Sequence, residues 1–512
     1  MMIGAVPTSV PQFILLGNWL IEGNFKNKWQ QLKPNRIFWL LSAVFAMHVL
    51  GLLYTADLKA GIAQFQITMP LFAMAFIFFS TAPLSEKEFH GMLYCFLAGC
   101  FCNTAWCLIY SFVLHHNEVV RDASRFMSHI RLGMYLNMAI ATCVYFAVKA
   151  KRIFSRLSMI ALALYFISTM LILGLASGLS GFFILLLFCL CVVIYRQRAI
   201  IKIALLAVIA VLAIAVAGYI LKINNAQLAV KPTLNNTLLT RNAAGRELIY
   251  LDTLGQKENG NYVWINLQVD ELRDEWNRQF PQDTFSYNPN PHNLGRFDVL
   301  VRYLASKGMN KDSAALAQLS TEDKTNIQKG ISNYQYSSWS FLHKRTYELV
   351  NEYDDFKHHR NVNGHSLTMR LYFWQAALHV IKQHFFTGVG TGDVQDELNK
   401  AYAETHSPLE KDWYKRPHNQ FLTISVAFGI FGLLLFIVSI VYPVVALKAW
   451  LPKLFWPFLI IVIISFLLED TLETQAGITF YVFFNTLFLS VAWFRRRAGL
   501  NRGGTAIRRS SE

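Results

Sequence analysis

Apolar runs of membrane-crossing length, each closed by a short charged loop, take up most of this chain. They fall at approximately 3–21, 36–54, 63–81, 90–114, 130–148, 157–175, 179–195, 199–221, 420–443, 454–470 and 477–494. A helix rises 1.5 Å per residue, so about 20 apolar residues cross roughly 30 Å of hydrocarbon. The runs are too long and too uniformly apolar for the alternating strands of a barrel, which leaves helices. The expected fold is therefore all-α: a polytopic transmembrane helical bundle of about eleven spans. Four segments follow: an eight-span bundle over 1–221, a polar domain over 222–417, three spans over 418–495, and a basic tail over 496–512.

The polar segment is far longer than an ordinary connection and so is expected to have a task of its own. It opens on a turn-rich stretch and continues as helices broken at Lys307-Gly308 and Lys329-Gly330. Its last helix is the clearest. In "RLYFWQAALHVIKQHFF", Leu371, Trp374, Leu378, Ile381 and Phe385 recur at spacings of three and four, which makes one apolar stripe. The polar positions Gln375, His379, Lys382 and Gln383 make a helix that lies on a membrane or against the bundle a better reading than a span. The "GVGTGD" after it is a helix-ending turn. A phosphate-cradling loop is the other reading, although such a loop normally follows a strand and precedes a helix.

Composition agrees with a membrane protein: 54% of the 512 residues are hydrophobic, only 15% are charged, and mean hydropathy is +0.32. The formal net charge of +15 could suggest nucleic acid, but its placement argues for a membrane. Lysine and arginine concentrate in alternate short loops, for example Lys26, Lys28, Lys33 and Arg36, then Lys149, Lys151, Arg152 and Arg156, then Arg495, Arg496 and Arg497. The opposite loops hold only Lys59, Arg121, Arg125 and Arg131. The positive-inside rule makes the first set cytoplasmic and puts 222–417 outside. It also predicts an external N-terminus, from which a further span upstream of residue 1 is expected. The first run lacks the basic start and cleavage site of a signal peptide. All seven cysteines fall in apolar runs with no zinc-type spacing, so the polar domain is not a disulfide scaffold.

Candidate chemistry centres on "RPHNQFLTISVAFGIFG", residues 416–432. His418 stands at the outer mouth of the ninth span, between Pro417 and Asn419, which suit a helix start. Gly429 and Gly432 suit close helix packing. An imidazole there can accept a proton near neutral pH. His115, His116, His358, His359 and His365 lie in polar loops without the convergence that a metal needs, so no metal site is expected.

The stretch "HNQFLTISVAFGIFG" resembles the signature of bacterial O-antigen ligases and related O-linked oligosaccharyltransferases. That signature is His, then Asn, Ser or Gln, nine residues, Gly, two residues, and Gly, Thr or Tyr. His418, Asn419, Gly429 and Gly432 fill its fixed positions. "RLYFWQAALHVIKQHFFTGVGTGD" resembles the arginine, amphipathic helix and GVG turn that precede the histidine in that family. The resemblance extends over roughly 36–495 and implies about twelve spans.

It further implies transfer of a glycan from undecaprenyl diphosphate to a lipid A-core hydroxyl at the periplasmic face of the bacterial inner membrane, without metal or other cofactor. A growing glycan or a protein serine or threonine is the alternative acceptor. His418 would be the general base, and Arg370 would bind the donor diphosphate. Family members usually carry a Ser-Arg-Gly step between two spans, but here Leu179, Ser180 and Gly181 offer no arginine. Arg131, at the outer start of the fifth span, is the expected substitute, because a cation near hydrocarbon is costly enough to suggest a function. Arg416 and Arg125 are further candidates. One of Glu469, Asp470 and Glu473, where the tenth span ends, is expected to orient His418 or to meet the acceptor. A transporter or flippase is the reading outside this class. It would call for paired broken helices or an internal repeat, and neither is visible.

Overall fold

A computed structural model of the chain describes residues 6–114, 127–195, 197, 199–229, 237–250, 255–285, 295–358 and 362–509. Arg125, His115, His116 and His359 lie outside the described residues. In chain order the first helices are α1 (Val6–Glu22), α2 (Phe25–Leu32), α3 (Arg36–Gly51), α4 (Leu58–Ser80), α5 (Glu86–Ile109), α6 (His129–Lys149), α7 (Ile153–Ile172) and α8 (Ala176–Tyr195). Then come α9 (Ala199–Leu228), the short strands β1 (Lys257–Glu258) and β2 (Asn261–Tyr262), α10 (Val269–Gln279), α11 (Gly295–Ser306), α12 (Ser313–Ala317), α13 (Thr321–Gln328) and α14 (Phe341–Lys357). The last are α15 (Thr368–Gln383), α16 (Val394–Glu404), α17 (Gln420–Leu447), α18 (Phe455–Leu468) and α19 (Gln475–Arg509).

The protein is a polytopic helical membrane bundle. Among the described residues seven helices are long and apolar enough to cross a membrane: α4, α5 with its π-helical extension, α6, α7, α9, α17 and α19. The shorter apolar helices α3, α8 and α18, together with α1, account for the remaining apolar runs of the sequence.

The chain divides into two compact units. One comprises residues 1–196, 372–407 and 414–512, and the other residues 197–371 and 408–413. In the first, α6 and α8 approach closely: a Cβ on Gly133 would lie 2.5 Å from the Gly178 Cα, and the Asn137 amide donates to the Gly178 carbonyl at 2.9 Å. This contact lies beside the "LASGLSG" step and fixes where Arg131, two residues before Gly133, emerges from the bundle.

The second unit carries an apolar core built from α10 to α13, with Trp276, Phe297, Leu300, Leu304, Leu316 and Ile327 all buried. Several polar groups buried in it are paired. The Glu258 carboxylate accepts from Arg302 Nε at 2.8 Å, Asn333 Nδ2 at 3.0 Å and the Tyr347 hydroxyl at 2.9 Å. Lys311 is 1% exposed, and its Nζ donates to the Tyr262 carbonyl at 2.8 Å; burial pulls this ammonium down to about 7.

Candidate active site

The start of α17 sets the geometry around His418. Asn419 is the N-cap: its side-chain oxygen accepts from the amides of Phe421 at 3.0 Å and Leu422 at 3.2 Å. To bring the chain into that cap, His418 takes a left-handed φ of 47°, uncommon for a residue with a Cβ. The conformation is held by its surroundings. The Asp470 carboxylate accepts from the amides of His418 at 3.0 Å and Asn419 at 3.2 Å, and from the Thr423 hydroxyl at 2.5 Å. A carboxylate at a helix N-terminus also meets the positive end of the helix dipole. Asp470 is buried, and burial pushes its carboxyl above the ordinary value. The Thr423 hydroxyl and the Arg416 charge pull it back in part.

The imidazole itself is fixed by Glu469, whose carboxylate lies 3.2 Å from His418 Nδ1, with Asp470 at 3.9 Å. Phe373 of α15 packs its ring against the imidazole at 5.6 Å, and Trp374 donates its indole N–H to the Pro417 carbonyl at 3.0 Å. A carboxylate on Nδ1 holds a proton there and leaves Nε2 as the basic nitrogen. Nε2 makes no hydrogen bond to any described residue, and the side chain as a whole is 34% exposed.

Three of the candidate arginines take different positions. Arg416 pairs with Glu473, whose other oxygen accepts from Gln420 at 3.3 Å, so its charge is already partnered within the protein. Arg131 donates to the Ser128 hydroxyl at 3.0 Å and lies within electrostatic reach of both Glu469 and Asp470. Arg370 stands in the first turn of α15, in the second unit.

Gly432 packs closely, as its position in the sequence suggests: a Cβ there would meet Met47 Sδ at 3.0 Å. Gly429 has a different task. With φ 62° and ψ −160° it breaks α17 in mid-course. The GVG turn uses the break. Val389 and Gly390 donate their amides to the freed carbonyls of Val426 at 3.0 Å and Ala427 at 2.9 Å, and Ile430 donates to Phe385 at 2.8 Å. The next amides are also occupied, Thr391 on the Gly51 carbonyl and Gly392 on the Thr55 hydroxyl, while the Asp393 carboxylate accepts from Ala56 and Asp57. Amides committed in this way cannot cradle a phosphate, so "GVGTGD" is a structural splice between α3, α4 and α17.

Three groups at the site, Thr423, Gln420 and Phe373, are not among the sequence candidates. Thr423 and Gln420 are polar positions three apart inside an otherwise apolar span, a pattern that could have marked them. Phe373 carries no such signal. Among the described residues no group of three His, Cys, Asp or Glu side chains has a metal-holding arrangement.

A membrane-embedded helical bundle with a carboxylate-oriented histidine at a helix mouth is the class that fold and site define. Residues 334–437 match the family model described as O-Antigen ligase, a segment that contains Arg370, Arg416, His418, Asn419, Gly429 and Gly432. The match supports the O-antigen ligase family, whose members are glycosyltransferase-like ligases and polymerases working on glycan-lipid substrates. No curated protein matches the chain.

Proposed function

We propose that the protein transfers a glycan from undecaprenyl diphosphate to a hydroxyl of lipid A-core, at the periplasmic face of the inner membrane, with residues 222–417 on that side. The observation that carries this reading is the Glu469 carboxylate on His418 Nδ1, which leaves Nε2 as the basic nitrogen. Nε2 takes the acceptor hydroxyl proton as the oxygen attacks the anomeric carbon. The bond from that carbon to the diphosphate oxygen breaks, and the electron pair leaves with undecaprenyl diphosphate. Arg131 offsets the charge that grows on the leaving group, since a guanidinium donates paired charge-assisted hydrogen bonds to phosphate oxygens. Arg370 keeps the diphosphate role that the resemblance gives it. A single displacement inverts the anomeric configuration.

The test is the lipopolysaccharide ladder of the native host after deletion and complementation. Wild type is expected to restore the glycan-bearing bands, and His418→Ala and Arg370→Ala to leave them absent. A ladder unaffected by deletion overturns ligation to lipid A-core. Loss of long chains with retained single-unit bands would indicate a polymerase instead.

A further inference from the structure

We propose that the cleft between α6 and α7 is a binding site for an anionic phospholipid, at the end of α6 opposite the His418 site. α6 begins near Arg131 and ends at Lys149, which separates the two by about 27 Å along the helix at 1.5 Å per residue. At the Lys149 end lies a cavity of about 590 Å³ lined by Lys149, Lys151 and Arg152, with Glu86 as the carboxylate in its lining. One wall is aromatic: Tyr94 of α5 and Phe146 of α6 stack at 4.3 Å with rings 7° apart, and both line the cavity. His90 is braced from the side by the Tyr145 hydroxyl at 3.2 Å.

The basic mouth does not end blindly. Met159 is shared with a second cavity of about 540 Å³ that continues between the same two helices and is lined by Val144, Ala147, Ala163 and Leu164, with Arg156 at its rim. The small side chains Ala147 and Ala163 open this slot. From Arg152 to Leu164 the groove runs about 18 Å along α7, close to the depth of one leaflet of a roughly 30 Å hydrocarbon core. A cationic cavity at the membrane surface, joined to an apolar slot one leaflet deep, matches the two halves of a phospholipid. Lys149, Lys151, Arg152 and Arg156 against the single Glu86 select an anionic headgroup, since a basic pocket between membrane helices attracts phosphate-bearing lipids.

Native mass spectrometry of the full chain in detergent tests this, with phosphatidylglycerol, phosphatidylcholine and soluble glycerol phosphate as probes. A retained one-to-one adduct is expected with phosphatidylglycerol, at least about tenfold more than with phosphatidylcholine, and none with glycerol phosphate. Lys149→Gln/Lys151→Gln/Arg152→Gln should reduce it about tenfold or more. Filling the slot from its lipid-exposed side with Val144→Trp/Leu164→Trp should do the same without touching a charge. Lys26→Gln/Lys33→Gln/Arg36→Gln, in another basic loop, should leave it intact. Equal retention of the two lipids, binding of glycerol phosphate as strong as of lipid, or equal losses from both basic loops would overturn the proposal.

Discussion

Glu469 gives the candidate base its direction, because an imidazole without a partner on Nδ1 exchanges tautomers freely. Glu469→Gln keeps a hydrogen-bonding side chain there and removes the charge. The expected result is a kcat lowered about 10- to 1,000-fold with KM little changed, measured with a purified lipid-linked donor. An equal fall in His418→Ala and Glu469→Gln/His418→Ala would show that the two act as one unit. Lys311 supports a second prediction. Its folded-state value of about 7 lies below the ordinary 10.5, so between these values the folded chain holds fewer protons than the unfolded one. Stability therefore rises as pH climbs from about 7 toward 10, by up to about 5 kcal/mol in the limit. Calorimetric unfolding of wild type and Lys311→Met should show the wild type gaining on the variant over that window, and parallel pH profiles would refute it.

At the scale of elements, the break in α17 is the feature on which the site's neighbourhood depends. A Cβ at Gly429 would sit 2.3 Å from the Phe386 carbonyl oxygen, in a backbone conformation that only glycine adopts readily. Gly429→Ala is expected to cost at least about 3 kcal/mol and to lower the yield of folded protein sharply. Gly99→Ala, in α5 with nothing within 4 Å of its Cβ, should be neutral to slightly stabilising. Thermal stability in detergent separates the two. α15 shows a related contrast. Of the sequence stripe, Leu371, Leu378 and, just past the helix, Phe385 are exposed and Trp374 and Ile381 are half-buried, while Phe373, Ala376, Ala377 and Val380 are buried. Both faces are apolar, and small residues decide which one packs, because Ala376 and Ala377 let α15 approach its neighbours.

For the whole molecule, the charge asymmetry of the loops predicts an orientation that labelling can read. In a background freed of native cysteines, Ala403→Cys, exposed on α16, should react with a membrane-impermeant maleimide in cells with a permeabilised outer membrane. Lys26→Cys should react only after lysis. The opposite pattern would invert the orientation and remove the proposed periplasmic site.

The fold class was legible from the chain because membrane spanning is a local property: twenty apolar residues favour hydrocarbon whatever the rest of the sequence does, and the apolar runs reappear as helices. His418 and its neighbour Asn419 were legible for the same reason, as a polar pair at an apolar boundary. The sequence also placed Glu469 and Asp470 at a span end and offered two tasks there, orienting His418 or meeting the acceptor, without deciding which carboxylate reaches the imidazole. That contact joins residues 51 apart and exists only because α17 and α18 pack with their mouths together. Pairing of Arg416 with Glu473, and the insertion of the GVG turn into a helix broken at Gly429, are likewise non-local. Transfer free energy sums along a segment and can be read from it. Hydrogen bonds between distant segments depend on where each helix ends and turns, and only the tertiary structure settles that.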